Sequence, residues 1–374
     1  MLEVQQWRIY DRTVHMGIYY IFFSMVVLTS CLGVIVDKRR IGAFDALGLL
    51  LMVLFAGLRH NVGTDYPTYL IIYRNINDLH IDWEHFLSGE YAFRALNYLT
   101  KILIGSLGDY VIFVVMAAMT YIPIYIQLKQ RSYKKIPIYL TVYFLFGFYT
   151  MAFNISRQWI AISVLFVGVS YLIDNKLRNF IFSVLLAGLF HQTAFLVAPF
   201  FLLAKKVKPT RKLIAVALAG GSLFALVGVS INPLWQFIGR INPRYASYLF
   251  YGEAGIGYRL QIIVYVMLLM LFMLNKKALI FVDKSNEFYL SVYIISLYFV
   301  LAGLVSVPIG RLATYFNVFV IFLLGDVLQC FSLRARPLVG WLVISCLIIW
   351  FALNAYFYGD ILPYESIIAW SSTF

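Results

Sequence analysis

Ten apolar runs recur along the 374 residues, near 16–36, 41–58, 109–127, 136–153, 158–173, 211–230, 258–275, 287–305, 311–331 and 337–357. A helix crosses about 30 Å of hydrocarbon at about 1.5 Å per residue, so it needs about 20 consecutive apolar residues. Barrel strands are short and alternate in polarity, so runs of this length mean helices. The chain is 62% hydrophobic and 13% charged, against about 45–50% and about 25% for a soluble domain. No polar stretch is long enough to fold as a separate soluble unit. The expectation is an all-α polytopic membrane protein, one integral domain over 1–374, with about 10–12 transmembrane helices. The first run is followed by Asp37-Lys38-Arg39-Arg40 and not by a small-residue cleavage site, so it reads as a retained span. Cys31, Cys330 and Cys346 are scattered through apolar runs, with neither disulfide nor metal spacing.

The net charge of +13 would suit nucleic acid, but its distribution does not. Basic residues fill short loops between apolar runs, as the positive-inside rule requires of a protein whose partner is the bilayer. Clusters at 37–40, 128–135, 176–178 and 205–212 all belong on the cytoplasmic side, with the N-terminus outside. That assignment forbids a single crossing by 180–203. Gly188, His191-Gln192 and Pro199 interrupt this segment, which therefore reads as a re-entrant hairpin or two short broken helices. The stretch 90–106 is amphipathic, with Tyr91, Phe93, Leu96 and Leu99 opposing Arg94, Asn97 and Lys101.

This topology sorts the cations by kind. Every lysine except Lys101 falls inside, while Arg8, Arg12, Arg59, Arg74, Arg94, Arg157, Arg240, Arg244, Arg259 and Arg311 fall outside. Topology needs only charge. Arginine adds a planar fork that grips phosphate or carboxylate in two places. Snorkelling to lipid phosphates, or pairing with outer acids such as Asp78 and Glu84, is the plain alternative. Arg157, Arg259 and Arg311 each begin a run that enters from outside. A helix N-terminus is already partly positive, so a cation there is unfavourable unless an anion joins it. Arginine with a helix N-terminus makes a plausible pyrophosphate clamp. Arg311 and Tyr315 are one turn apart on one helix face.

The loop Gly63-Thr64-Asp65-Tyr66 joins a turn glycine, a carboxylate and a ring. Asp65 is the leading candidate base for a hydroxyl, with Glu90 and His191 as alternatives on the same face. Asp65 preceding Pro67 also fits a helix cap. A lone histidine among apolar residues is more often structural, yet the bend puts His191 at an outer end. Among 28 tyrosines, many belong in interfacial belts. Tyr245, Tyr248 and Tyr251 would also make a sugar-stacking platform. There is no P-loop, dinucleotide fingerprint, metal-ligand cluster or nucleophile elbow, so neither metal nor cofactor is expected.

In order along the chain, these residues resemble the EpsG family, the Wzy-type exopolysaccharide and O-antigen polymerases. The resemblance rests on Arg59 with Val62-Gly63-Thr64-Asp65-Tyr66 and Tyr69, then Glu90. It continues through Asn154, Arg157-Gln158 and Ala161, Phe190-His191 and Ala194, and ends with Arg311, Tyr315 and Leu362-Pro363-Tyr364. It implies a glycosyltransferase of the all-helical GT-C class in the bacterial cytoplasmic membrane. The donor is a polyprenyl-pyrophosphate-linked oligosaccharide, attacked at sugar C1 by a hydroxyl of a second lipid-linked repeat at the outer face. The product is exopolysaccharide, capsule or O-antigen, and a chain-length co-polymerase is an implied partner. Arg59, Arg157, Arg259 and Arg311 become the pyrophosphate residues. Tyr66, Tyr69, Gln158, Tyr315 and Tyr364 become glycan-binding or supporting ones. The rivals are a flippase for lipid-linked glycans, a membrane acyltransferase acting on the same polysaccharide, and a structural assembly partner. The flippase would want mid-membrane ionisable groups; Asp45 and Asp326 are the acids inside runs, both nearer the cytoplasmic end.

Overall fold

The computed structural model describes residues 2–38, 40–77, 90–228, 256–357 and 359–368. These are almost wholly helical and form two compact units, Met1–Phe195 with Pro337–Phe374, and Leu196–Arg336. Among the described residues six helices are long and apolar enough to cross a membrane. They number seven if Val307–Asn317 and Val320–Cys330, bent by 47°, count as one broken span.

The first unit contains α1 (Leu2–Ile35), α2 (Ala43–Gly57), α3 (Tyr66–Asn75), α4 (Tyr91–Ile104), α5 (Gly108–Arg131), α6 (Ile136–Leu145), α7 (Phe148–Met151), α8 (Ser156–Ile173) and α9 (Leu177–Phe190). It also holds the start of α10 (Thr193–Lys206), and nearly all of the helix Arg336–Phe357. Helix α5 packs against α2 and α8, and α8 packs on α9. Without a hydrophobic drive between helices in lipid, close approach depends on small residues. A Cβ on Gly57 would stand 2.6 Å from the Val114 Cα, and one on Gly168 would stand 2.5 Å from the Ser183 Cβ. Only glycine lets these pairs sit so near.

Rings fill the interior. Phe22 stacks on Phe55 at 3.9 Å, Phe23 on Phe144 at 4.5 Å and Tyr121 on Tyr149 at 4.6 Å. Buried phenols need acceptors: Tyr19 donates to the Ile361 carbonyl at 2.8 Å, and Tyr149 to that of Met52 at 2.8 Å. Interfacial belts therefore do not account for these tyrosines; they tie distant segments of the chain together.

Two segments differ from their sequence reading. The run 136–153 is not one helix, because Gly147 adopts φ +91 and separates α6 from α7. The run 41–58 yields only the 15 residues of α2, about 22 Å of helix. Helix α4 forms where expected, and the fold shows which side it buries. Phe93, Asn97 and Thr100 are buried, and Leu99 is 51% exposed. Its polar groups have partners: Asn97 donates to the Phe93 carbonyl at 2.7 Å in the interior, and Lys101, nearer the surface, reaches the carbonyls of Arg74 and Ile76, both at 2.8 Å, at the end of α3. Leu99 needs no such partner.

The segment 180–203 is broken at His191-Gln192, between α9 and α10, each of 14 residues. Asp45 is fully buried and bonded to Lys129 and to the Tyr125 hydroxyl, the latter at 2.8 Å.

The second unit contains the rest of α10, α11 (Arg211–Gly228), α12 (Ile256–Leu274), α13 (Lys276–Val282), α14 (Ser285–Ala302), α15 (Val307–Asn317) and α16 (Val320–Val327). Helix α14 packs against α11, α12, α15 and α16. Asp326 accepts a 2.9 Å hydrogen bond from the Asn286 amide in its interior.

Candidate functional site

The loop after α2 is held by its own arginine. Arg59 is only 3% exposed. Its Nε donates to the Val62 carbonyl at 3.3 Å, Nη1 to Ala56 and Nη2 to Phe153 at 3.4 Å. Its guanidinium lies 4.7 Å from the Phe153 ring centroid and 5.1 Å from that of Phe113. Carbonyls and ring faces replace the water a buried cation loses. Burial lowers the guanidinium from its ordinary value, with nearby tyrosines opposing that shift. The expected pyrophosphate ligand is thus placed as the internal brace of its loop.

The chain's last described segment clasps the same loop. His60 N–H donates to the Glu365 carbonyl, Gly63 N–H to that of Asp360 and Ile367 N–H to that of Leu58, each at 2.9 Å. Tyr364 donates to the Phe55 carbonyl at 2.7 Å and stacks on that ring at 4.2 Å. Gly63 sits at φ +98, where an added Cβ would meet Asn154 Oδ1 at 2.7 Å, so the turn requires glycine. Tyr66 stacks on Phe113 at 4.1 Å. Asp65 takes the position before α3, with Pro67 in the first turn, but its side chain makes no capping hydrogen bond. Its carboxylate lies 3.4 Å from the Thr64 hydroxyl.

Three residues distant in sequence meet beside this loop. Glu90 precedes α4 in a left-handed conformation, φ 48, and its side chain is 4% exposed. One carboxylate oxygen accepts from Arg157 Nη1; the other lies 2.5 Å from His191 Nδ1. Arg157 is the second residue of α8, and His191 caps the end of α9 with its N–H on the Ala187 carbonyl at 2.9 Å. A cation in the first turn of a helix opposes the helix dipole, and here a carboxylate compensates it. The anion foreseen beside Arg157 is, in this structure, the chain's own Glu90.

Tyr69 and Phe93 wall this cluster, with ring centroids 5.8 Å and 5.5 Å from the Arg157 guanidinium. The Tyr69 hydroxyl accepts from the Arg157 backbone N–H and donates to the Asn154 carbonyl, both at 3.4 Å. Burial raises the Tyr69 phenol, Arg157 draws it down, and Asp65 pushes it up. Asp65 therefore acts on the same tyrosine that touches Arg157. Gln158 is buried next to Arg157.

In the second unit, Arg259 and Arg311 are exposed near the starts of α12 and α15. Tyr258 brings those ends together. Its hydroxyl donates to the Val300 carbonyl at 2.9 Å, and it fills the space a Cβ would need at both Gly303 and Gly310. Arg259 follows Tyr258, and Arg311 follows Gly310. Tyr315 is buried one turn beyond Arg311. Sequence reading missed Tyr258. The one available signal was the pair of glycines, Gly303 and Gly310, on either side of the break between α14 and α15. Asp78, Glu84, Arg240, Arg244 and 245–251 lie outside the described residues, as do the side chains of Arg8 and Arg12. Among the described residues no group of three His, Cys, Asp or Glu side chains is placed to hold a metal ion.

A family model described as the EpsG family matches residues 42–366. No curated protein and no solved structure matches the chain.

Proposed function

The chain belongs to the EpsG family, and from that premise we propose that it polymerises lipid-linked glycan. Its donor is a polyprenyl-pyrophosphate-linked oligosaccharide repeat, and its acceptor is a hydroxyl on a second lipid-linked repeat. The product is exopolysaccharide, capsule or O-antigen, made at the outer face of the bacterial cytoplasmic membrane. Family membership supports the coarser statement, an exopolysaccharide-related polymerase role in a membrane protein. The positive-inside reading supports the outer face.

The observation that carries the reaction is the meeting of Glu90, Arg157 and His191 at the ends of three helices. Breaking a sugar–pyrophosphate bond releases negative charge, which a positioned guanidinium and a helix N-terminus stabilise. Forming the new bond releases a proton, which a carboxylate or imidazole can take. Both kinds of group stand within one hydrogen-bonded set. In this reading Arg157 serves the pyrophosphate, with Arg259 and Arg311 as further anion-binding groups on the second unit. Arg59 and Tyr364 hold the Asp65 loop. Tyr66, Tyr69, Gln158 and Tyr315 shape and support the glycan-binding surfaces. Both substrates carry lipid tails, so they approach through the bilayer, and a chain-length co-polymerase is the proposed protein partner.

Cells lacking the protein should accumulate single lipid-linked repeat units on the outer face of the membrane. Mass spectrometry of extracted lipid-linked glycans, with side-specific labelling, reads this directly. Accumulation on the inner face would point instead to a flippase.

A further inference from the structure

Within that polymerase reading, we infer that His191 is the catalytic base, acting through Nε2, and that Glu90 is the residue that positions it. Glu90 itself has little left to offer as a base. One oxygen is bonded to Arg157, the other faces His191, and the side chain is 4% exposed. The guanidinium favours the ionised carboxylate, which can only accept. The ring nitrogen facing it, Nδ1, therefore carries the hydrogen. In the neutral imidazole the lone pair then lies on Nε2, at the other edge of the ring. Among the described residues Nε2 makes no hydrogen bond, and the side chain is 22% exposed. The arrangement fixes the tautomer, holds the ring, and presents one accepting nitrogen.

The step balances without a further reactant. The acceptor oxygen forms its bond to sugar C1 as its proton moves to Nε2. The bond from C1 to the pyrophosphate oxygen breaks, and its electron pair leaves with polyprenyl pyrophosphate. The imidazolium is stabilised by Glu90 and then loses its proton to water. Among the described residues, the charged groups bonded into this cluster are Glu90 at the head of α4 and Arg157 at the head of α8. Arg157 touches Tyr69, on which Asp65 acts. Neither Lys176 nor Arg178 bears on the ring, being at the opposite end of α9.

The test uses the full-length protein in detergent or nanodiscs with purified lipid-linked repeats. His191→Gln keeps an amide that can still donate to Glu90 but cannot take a proton near neutral pH. It should lower kcat about 10²–10⁴-fold, the contribution of a general base, while binding of the lipid-linked donor is unchanged. Wild-type turnover should fall on the acid side as the base protonates, and that acid limb should vanish from the variant's residual rate. Glu90→Gln, where it folds, should move the limb to lower pH, because an imidazolium without its carboxylate forms less readily. Near-normal turnover in His191→Gln overturns the inference, and so does an acid limb that persists in its residual rate. A loss of donor binding matching the loss of rate also overturns it, since the residue would then be structural. Loss confined to Asp65→Asn would move the base to that loop. Each of these outcomes presupposes that wild type polymerises; if it does not, the polymerase reading itself has failed.

Discussion

Truncating Glu90 to alanine should destabilise the protein by about 3 kcal/mol, more than an ordinary surface ion pair is worth. The loss comes from what remains behind. Glu90 is nearly inaccessible, and Arg157 is largely enclosed by Tyr69 and Phe93. Without the carboxylate, a guanidinium at the start of α8 keeps its burial and its clash with the helix dipole but loses its counter-ion. Breaking a buried pair costs about 3–5 kcal/mol. The lower end applies because the Arg157 side chain is still 22% exposed. Removing both charges, as in Glu90→Ala with Arg157→Leu, should recover most of that stability, since no orphan charge is left. Thermal unfolding of the purified variants in detergent measures both. A cost below about 0.5 kcal/mol for the single variant would place this pair with solvated surface contacts.

Replacing Arg157 by lysine should abolish polymerisation nearly as completely as replacing it by alanine. We expect a loss of about 10²-fold or more, the size seen when one stabilising donor is removed at a developing oxyanion. Lysine preserves the charge, and with it membrane insertion and a contact to Glu90. It supplies one compact ammonium where the guanidinium offers several donors in a rigid plane. Arg157 already spends Nη1 on Glu90, so serving a pyrophosphate at the same time needs the rest of the fork. Product formation per folded protein is the readout. Normal activity in Arg157→Lys would reduce the residue to a counter-ion for Glu90.

Much of this was legible in the residues. Apolar runs of the right length give α5, α8, α12 and α14 almost as written, because a bilayer imposes length and polarity on any helix that crosses it. The break was legible at His191-Gln192 and from the charge clusters, whereas Gly188 and Pro199, read as further interruptions, lie inside α9 and α10. Other features depended on tertiary context. Helix α4 buries Asn97 and Thr100 beside Phe93 and leaves Leu99 exposed, an orientation that amphipathicity alone does not give. Arg59 read as an outward-facing anion ligand, yet its partners are backbone carbonyls from Ala56, Val62 and Phe153 that no side-chain pattern could announce. Glu90, Arg157 and His191 were each singled out by position. Their meeting was not legible, because the pairs are 67 and 101 residues apart and Glu90 reaches them from a left-handed backbone conformation.

The central claim is that this chain by itself joins lipid-linked repeats. The most direct measurement reconstitutes the purified wild-type protein with one preparation of polyprenyl-pyrophosphate-linked repeat units and separates the products by size. The expected result is a ladder of lengthening glycans, with one polyprenyl pyrophosphate released for each new linkage. Repeat units that remain single in the presence of folded, donor-binding protein would contradict it.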